Sequence, residues 1–259
     1  MALDKKSGSG PSILFLDIET APDLVWTWGV YEQNAIEVKE HWYVLSFAAK
    51  WANGPVIVKG LDDYKGYKPL ARDDRKLIRE VRELLDQADI VVAHNGADFD
   101  IKKLNARFIA HGFAPPSPYK IVDTKREIKR VSAFSSNKLD WLAKQLELGK
   151  KIEHEGFPMW RGCMSGNESA WKKMKKYNRH DVLLLQDLYN KLSPWMHQPN
   201  ATLWGKECVN PSCKSSDIAA RGFMRSKTRV YQRFQCNNCG TWSKAVLSEK
   251  TPKAVVSPV

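Results

Sequence analysis

The stretch Ile13-Leu14-Phe15-Leu16-Asp17-Ile18-Glu19-Thr20 places two carboxylates directly after a short apolar run. Four consecutive apolar residues are typical of a strand that is buried on both faces of a sheet. Side chains two residues apart in a strand point to the same face, so we expect Asp17 and Glu19 to converge. The stretch therefore predicts an acidic site at the end of a buried strand.

Strand and helix patterns alternate through the residues that follow. Two β-branched and aromatic runs, at 42–50 and 56–59, flank Asn53-Gly54, which favours a hairpin. Short apolar runs predict further strands at 90–93 and 121–122. Helical spacing predicts helices at 72–87, 100–111, 124–131, 138–148 and 168–192. We predict an α/β fold in which helices cover a mixed sheet.

Two further acidic segments follow elements of this pattern. Asp100 begins a predicted helix, and Tyr177 and Asp181 lie four residues apart on one face of the last helix. We expect these groups to meet Asp17 and Glu19 at one edge of the sheet. Magnesium and manganese ions prefer oxygen ligands, and four carboxylates suit two such ions. A metal pair of this kind indicates hydrolysis of a phosphodiester.

These motifs resemble the DEDD exonuclease superfamily, whose fold is ribonuclease H-like and whose proofreading members accompany many DNA polymerases. Asp17-x-Glu19-Thr20 matches the first motif, Asn95-x3-Phe99-Asp100 the second and Tyr177-x3-Asp181 the third. The third spacing is that of the tyrosine (DEDDy) branch, and it is closest to the exonuclease domain of family B polymerases. The resemblance covers most of residues 12–192.

The resemblance implies a role for each catalytic residue. Asp17 would bridge two metal ions, while Glu19 and Asp181 would bind the ion that holds the nucleophilic water. Asp100 would help to hold the second ion. Tyr177 would orient the water, because a phenol with a pKa near 10 is a poor general base at neutral pH.

Three residues of the same motifs are candidates for substrate binding: Thr20, Asn95 and Phe99. By the resemblance, Asn95 and Phe99 contact the terminal nucleotide, although packing in the core is an equal alternative for Phe99.

Four cysteines indicate a second, smaller module. Cys208-x4-Cys213 and Cys236-x2-Cys239 are separated by 22 residues, which is typical of a zinc ribbon with four cysteine ligands. A module of this size has little core, so one structural zinc ion would supply much of its folding free energy. We interpret Cys163 as an unrelated thiol.

Basic and aromatic residues alternate between the cysteine pairs, among them Arg229, Tyr231 and Arg233. Such residues contact phosphates and stack on bases. The stretch 231–240 resembles the zinc ribbons of insertion-element transposases and related DNA-binding proteins. We predict that the ribbon helps to bind substrate, and a ribbon that binds protein is the alternative.

Composition narrows the possible classes of protein. With 259 residues of which 43% are hydrophobic, the chain is neither disordered nor collagenous. It carries 41 Lys and Arg against 29 Asp and Glu, and this net charge of +12 favours a polyanionic partner. Because we find neither a membrane-spanning run nor a signal peptide, we expect an intracellular, cytoplasmic or nucleoid-associated protein without a membrane partner.

We predict a flexible N-terminus at 1–11, an exonuclease domain at 12–196, a zinc ribbon at 203–246 and a flexible tail at 247–259. The predicted function is metal-dependent 3′–5′ exonuclease action with two Mg²⁺ or Mn²⁺ ions. We favour DNA over RNA as the partner and leave open a replication or repair protein as another. An RNA-directed exonuclease and a non-catalytic nucleic-acid-binding protein are the alternatives.

Overall fold

The computed structural model describes residues 11–31, 34–150, 152–153, 155–196, 207–210, 213–225 and 230–246. The chain divides into two compact units, Ser12–Tyr189 and a second one that joins Met1–Pro11 to Asn190–Val259. The four predicted segment boundaries stay predictions. The predicted flexible N-terminus, apart from Pro11, and the predicted tail lie outside the described residues.

The helices and strands of the described residues follow one another in this order: β1 (Ile13–Thr20), β2 (Leu24–Trp26), β3 (Glu37–Glu40), β4 (Val44–Trp51), β5 (Val56–Gly60), α1 (Arg75–Gln87), β6 (Ile90–Ala93), α2 (Asp100–Ala110), β7 (Lys120–Asp123), α3 (Thr124–Val131), α4 (Leu139–Gln145), α5 (Phe157–Met164), α6 (Glu168–Leu192), β8 (Ile218–Arg225), β9 (Val230–Cys236) and β10 (Trp242–Val246).

The larger unit is built on a five-stranded sheet with the order β5-β4-β1-β6-β7. The first strand, β1, pairs antiparallel with β4 and parallel with β6, so the sheet is mixed. A tight turn joins β4 to β5, as the Asn53-Gly54 pair predicts. The predicted α/β fold with a mixed sheet is confirmed.

Strand β1 lies at the centre of this sheet, and its two faces have different neighbours. Its apolar residues 13–16 are buried. The ring of Phe15 packs edge-on against Tyr189 of α6, with the ring centroids 5.4 Å apart. Asp17 and Glu19 are on the same face as Phe15, because side chains alternate along a strand. Helix α6 therefore covers the face that bears the two acids.

Two features of the larger unit have no counterpart in the prediction. Strands β2 and β3 form a separate two-stranded ribbon whose side chains are mostly exposed, so no alternation of burial marks them in the sequence. Helix α5 has a proline in its first turn and spans eight residues, and a helix of this length is too short to show a clear helical period in the sequence.

The smaller unit contains a three-stranded antiparallel sheet with the order β10-β9-β8. Within the described part of the chain, no helix has the length and the apolar character that are needed to cross a membrane.

Candidate metal centres

Three of the predicted acidic ligands lie together in the larger unit. Asp17 and Glu19 come from β1 and Asp181 comes from α6, and their carboxylate oxygens lie within 4.8 Å of one another. The strand brings the first pair to one face, and the helix crosses that face. Asp181 is buried, whereas Asp17 and Glu19 are half-buried. The cluster is therefore open to solvent on the side of the strand.

Asn178 holds this cluster together, and the sequence reasoning did not select it. Its Nδ2 donates a 2.5 Å hydrogen bond to Asp17 Oδ2, and its Oδ1 accepts one from Ser46 Oγ at 3.1 Å. Asn178 and Ser46 are both fully buried. Ser46 pairs with Glu19 across β1 and β4, so one amide joins α6 to both strands. The only sequence signal was its position inside the Tyr177-x3-Asp181 motif.

Asp100 lies next to β1 but outside the cluster of three acids. It is the first residue of α2, and its Oδ1 accepts a 3.1 Å hydrogen bond from the amide of Ile18. Burial raises the pKa of Asp100 to about 7, and the nearby Asp123 carboxylate acts in the same direction, while the Ile18 amide opposes it. A group of this kind favours a proton or a cation.

The loop between β6 and α2 is fixed by Asp123, the N-cap of α3. The carboxylate of Asp123 accepts hydrogen bonds from the amides of Asn95 and Ala97 as well as from the first turn of α3. Asn95 has a φ of 69°, which asparagine tolerates better than most residues. At Gly96 a Cβ atom would lie 2.2 Å from the Cβ of Ala93, so only glycine fits without a shift.

Tyr177 is buried and packs edge-on against the ring of Trp160, with 6.1 Å between the ring centroids. It lies one turn before Asp181 on α6, as the four-residue spacing predicts.

The three predicted substrate-binding residues of the larger unit flank the acids. Thr20 ends β1 after a bulge and is half-buried. Asn95 Oδ1 accepts a hydrogen bond from Lys125 Nζ at 3.2 Å. Phe99 is 39% exposed, which does not match the alternative that it is only a core residue. Lys103, which the sequence reasoning did not select, extends its Nζ to 3.7 Å from the ring of Trp42 and 5.7 Å from that of Phe99.

The four cysteines of the smaller unit form the second cluster. Their sulfur atoms all lie within 4.8 Å of one another, with 3.5 Å between Cys208 and Cys239 and 3.8 Å between Cys213 and Cys236. Four thiolates at 2.3 Å from a tetrahedral zinc ion would be about 3.8 Å apart. None of these cysteines forms a disulfide.

Polar groups contact the sulfur atoms, although burial raises the pKa of the Cys208 and Cys213 thiols. The amide of Asn210 donates to Cys208 Sγ at 3.4 Å, and Asn238 Nδ2 donates to Cys213 Sγ at 3.3 Å. Burial opposes ionisation of Cys239, but hydrogen bonding with Thr241 and the neighbouring thiols lowers its pKa to about 6. Buried Cys163 lies in α5 of the larger unit, outside this cluster.

One face of the small sheet combines basic and aromatic side chains. The Arg233 guanidinium lies 5.5 Å from the ring of Trp242, and Lys244 Nζ lies 4.7 Å from the ring of Tyr231. The strand register places Arg233 opposite Lys244. Arg229, the remaining predicted residue, lies outside the described residues.

The two donor sets fit two kinds of metal. The carboxylate oxygens of the larger unit suit a hard cation such as Mg²⁺ or Mn²⁺, whereas four thiol sulfurs suit Zn²⁺.

Comparisons with known proteins found a family and similar polymerases. The model of the RNase H superfamily matches residues 14–193. The chain is 32% identical over 129 residues to a DNA polymerase III PolC-type of Ureaplasma parvum serovar 3, which covers 49% of this chain and 9% of that protein. It also resembles the structure of the family B DNA polymerase from the hyperthermophilic archaeon Pyrobaculum calidifontis. That match has a TM-score of 0.52 and 19% identity over 72% of this chain and 25% of the polymerase, so it concerns the fold.

Proposed function

The chain belongs to the RNase H superfamily, and on that premise we propose that it is a metal-dependent 3′–5′ exonuclease of the DEDDy branch. The observation that carries the proposal is the convergence of Asp17, Glu19 and Asp181 within 4.8 Å. Carboxylates at this distance repel one another, and a divalent cation offsets the repulsion. The match to a superfamily of nucleases and the similarity to DNA polymerases support this chemistry.

Asp17, Glu19, Asp100 and Asp181 are the residues that would hold two Mg²⁺ or Mn²⁺ ions. Such a pair, when bound, lowers the pKa of water and stabilises the attacking and leaving oxygens of an in-line displacement at phosphorus. The chain itself contributes pre-organised ligands. Asn178 fixes the carboxylate of Asp17.

Tyr177 would contribute a hydroxyl that orients the attacking water. Its ring is held by Trp160, so the position of the hydroxyl is set before substrate binds. A tyrosine in this role acts as a hydrogen-bonding group rather than as a base.

The proposed substrate is DNA, because the compared proteins are DNA polymerases. Thr20, Asn95 and Phe99, which flank the acids, would contact its terminal nucleotide. An RNA-directed exonuclease of the same fold is the second candidate, since the same acidic site suits both sugars. A non-catalytic nucleic-acid-binding protein would not need the acids to converge.

We further propose that the smaller unit is a zinc ribbon that helps to bind nucleic acid. The sulfur distances support zinc, and the exposed Arg233 and Trp242 support contacts to phosphates and bases. The proposed division remains an exonuclease domain at 12–196 followed by a ribbon at 203–246, in an intracellular protein.

A digestion of end-labelled strands tests the proposal. Purified full chain is mixed with Mg²⁺ or Mn²⁺ and with 5′-labelled DNA or RNA, single-stranded or duplex, and Asp17→Ala is the control. We expect a descending ladder on DNA that requires metal and Asp17. Full-rate cleavage by Asp17→Ala would contradict the assignment of the site, and binding without cleavage under every condition would support the non-catalytic alternative.

A further inference from the structure

A cavity of about 280 Å³ lies in the larger unit, away from the residues assigned above. Most of its wall is the loop 64–73 between β5 and α1. The wall is completed by Tyr43, which precedes β4, by Leu61, by Lys76 of α1 and by Trp171 of α6. No carboxylate of the proposed metal site lines it.

Cations dominate the charged groups around this cavity. Four of its lining side chains are cationic: Lys65, Lys68, Arg72 and Lys76. Arg72 forms an ion pair with Glu40, but in the described part of the chain no ion pair involves the three lysines. Asp73 is the single acid that lines the cavity, so a net positive charge faces it. This charge favours an anionic ligand.

Aromatic rings form the apolar part of the wall. The Tyr64 hydroxyl donates to Glu80 Oε2 at 2.6 Å, and the Tyr67 hydroxyl donates to the carbonyl of Cys163 at 3.2 Å. Because both hydroxyls are already bonded, these residues offer their rings to a ligand rather than a polar group. Aromatic rings stack on nucleic acid bases without preference for one base.

The backbone of the loop is held in an unfavourable conformation. Leu70 and Arg72 have φ values of 63° and 51°, in the left-handed region that side chains disfavour. The amide of Leu70 donates to the carbonyl of Met164, and Pro69 packs so closely on Gly166 that a Cβ there would lie 2.5 Å from its ring. Such strain persists where surrounding contacts impose it, and it is concentrated at binding sites.

Two elements link the wall of the cavity to the neighbourhood of the acids. The amide of Ala21, two residues after Glu19, donates to the carbonyl of Tyr43 at 2.9 Å. Trp171 precedes Tyr177 by six residues on α6, which is about 9 Å along a helix. A strand of a few nucleotides spans that separation.

We propose that this cavity binds one nucleotide unit, with its phosphate on Lys65, Lys68 and Lys76 and its base or sugar against the rings of Tyr64 and Tyr67. The inference rests on the proposed function for the identity of its ligand. A phosphorylated nucleoside has two sources, an internal nucleotide of a bound strand and a free mononucleotide, and the test separates them.

The test measures binding in EDTA, where no hydrolysis occurs. The full chain is titrated into fluorescein-labelled oligothymidylates of three to eight nucleotides, and thymidine monophosphate and inorganic phosphate are used as competitors. The cavity variant is Lys65→Glu/Lys68→Glu. The matched control, Lys120→Glu/Lys129→Glu, makes the same change of charge at two exposed lysines that do not line the cavity. Lys68→Gln is a second cavity variant. It is a milder change at an exposed side chain, so it still tests the cavity if the double variant misfolds.

We expect the cavity variant to weaken oligonucleotide binding at least tenfold more than the control does. The slope of log K against log salt concentration should fall by about 0.7 for each bound phosphate that the variant no longer neutralises. An equal weakening in both double variants would overturn the proposal. So would competition by inorganic phosphate that equals thymidine monophosphate mole for mole, because the rings would then contribute nothing.

Competition by thymidine monophosphate that the cavity variant abolishes identifies a free-nucleotide site. An affinity step with oligonucleotide length, without competition by the mononucleotide, identifies a strand site, and either result supports the proposal. The digestion assay is scored separately. A chain that binds through the cavity but never cleaves refutes the proposed function alone, and a chain that cleaves while both double variants bind equally refutes the cavity alone.

Discussion

The two metal-ligand clusters of this protein are assembled over different distances along the chain. Asn178 and Asp17 meet although 161 positions separate them, whereas Cys208 and Cys239 are only 31 positions apart. The acidic cluster lies on a five-stranded sheet with a large core, and the cysteine cluster lies beside three short strands. The first geometry is set by the fold, so a metal bound there would serve chemistry. The second, under the proposal of a zinc ribbon, would need its metal in order to fold.

Loss of a cysteine ligand should give the largest effect. We expect Cys236→Ser to release zinc and to unfold β8–β10, because zinc binding supplies about 10 kcal/mol or more to modules of this kind. Hydrolysis of a trinucleotide should persist. Zinc per chain and hydrogen exchange across residues 207–246 measure the change, and Cys163→Ala is the matched cysteine control. Protected amides in β8–β10 of the zinc-free variant would show that the small sheet folds without zinc, and this would contradict the difference drawn between the two clusters.

The acidic site should show the opposite response, because Asp100, the buried acid beside the cluster, destabilises the metal-free fold. The pKa of Asp100 is about 7 when folded and near 3.9 when unfolded, so the folded state binds the proton more tightly. The free energy of unfolding therefore falls as pH rises from about 4 to 7.

Asp100→Asn should remove that loss and stabilise the chain at pH 8 by up to about 4 kcal/mol in EDTA, at 1.36 kcal/mol per pKa unit. Urea unfolding at pH 5 and pH 8 measures the change. The two proteins should differ less at pH 5 than at pH 8, and a constant difference would argue against Asp100 as the cause.

Removing the side chain that orients Asp17 should have an intermediate effect. Asn178→Ala leaves all four acids in place but frees the Asp17 carboxylate, and we expect kcat to fall 10- to 100-fold, as for other groups that orient metal ligands. Asn105→Ala, an exposed asparagine on α2, is the control. Unchanged kcat with Asn178→Ala would show that β1 alone fixes the cluster.

The smallest effect is expected at the basic face of the small sheet. Arg233→Gln should lower affinity a few-fold and reduce the salt slope by about 0.7, which corresponds to one phosphate contact. Lys129→Gln removes one charge from α3 of the larger unit and serves as the control. If the control variant shows the same salt slope as Arg233→Gln, the basic face makes no direct contact with a phosphate.

The contrast also explains which features the sequence could predict. The strands at 13–20 and 90–93 are marked by continuous apolar runs, and the cysteine cluster is marked by its spacing, because both signals are local. Asn178 carries no such signal. Its importance depends on a contact with Ser46 of β4, and only the packing of α6 on the sheet brings the two together.

The cavity behind loop 64–73 was equally invisible, because lysine and tyrosine are common surface residues. Similarly, Asp100 was expected among the other acids, yet its place outside the cluster depends on a backbone amide of β1. Local patterns indicate which groups are available, and tertiary contacts decide where each one points.

Gly96 shows how far a constraint can extend from the chemistry that it serves. It offers no side chain, but any substitution pushes its Cβ into Ala93 and displaces the turn whose amides hold Asp123. In a saturation library selected for activity, position 96 should therefore tolerate as few replacements as Asp17 does. Lack of space alone would therefore prevent substitution at this position during evolution.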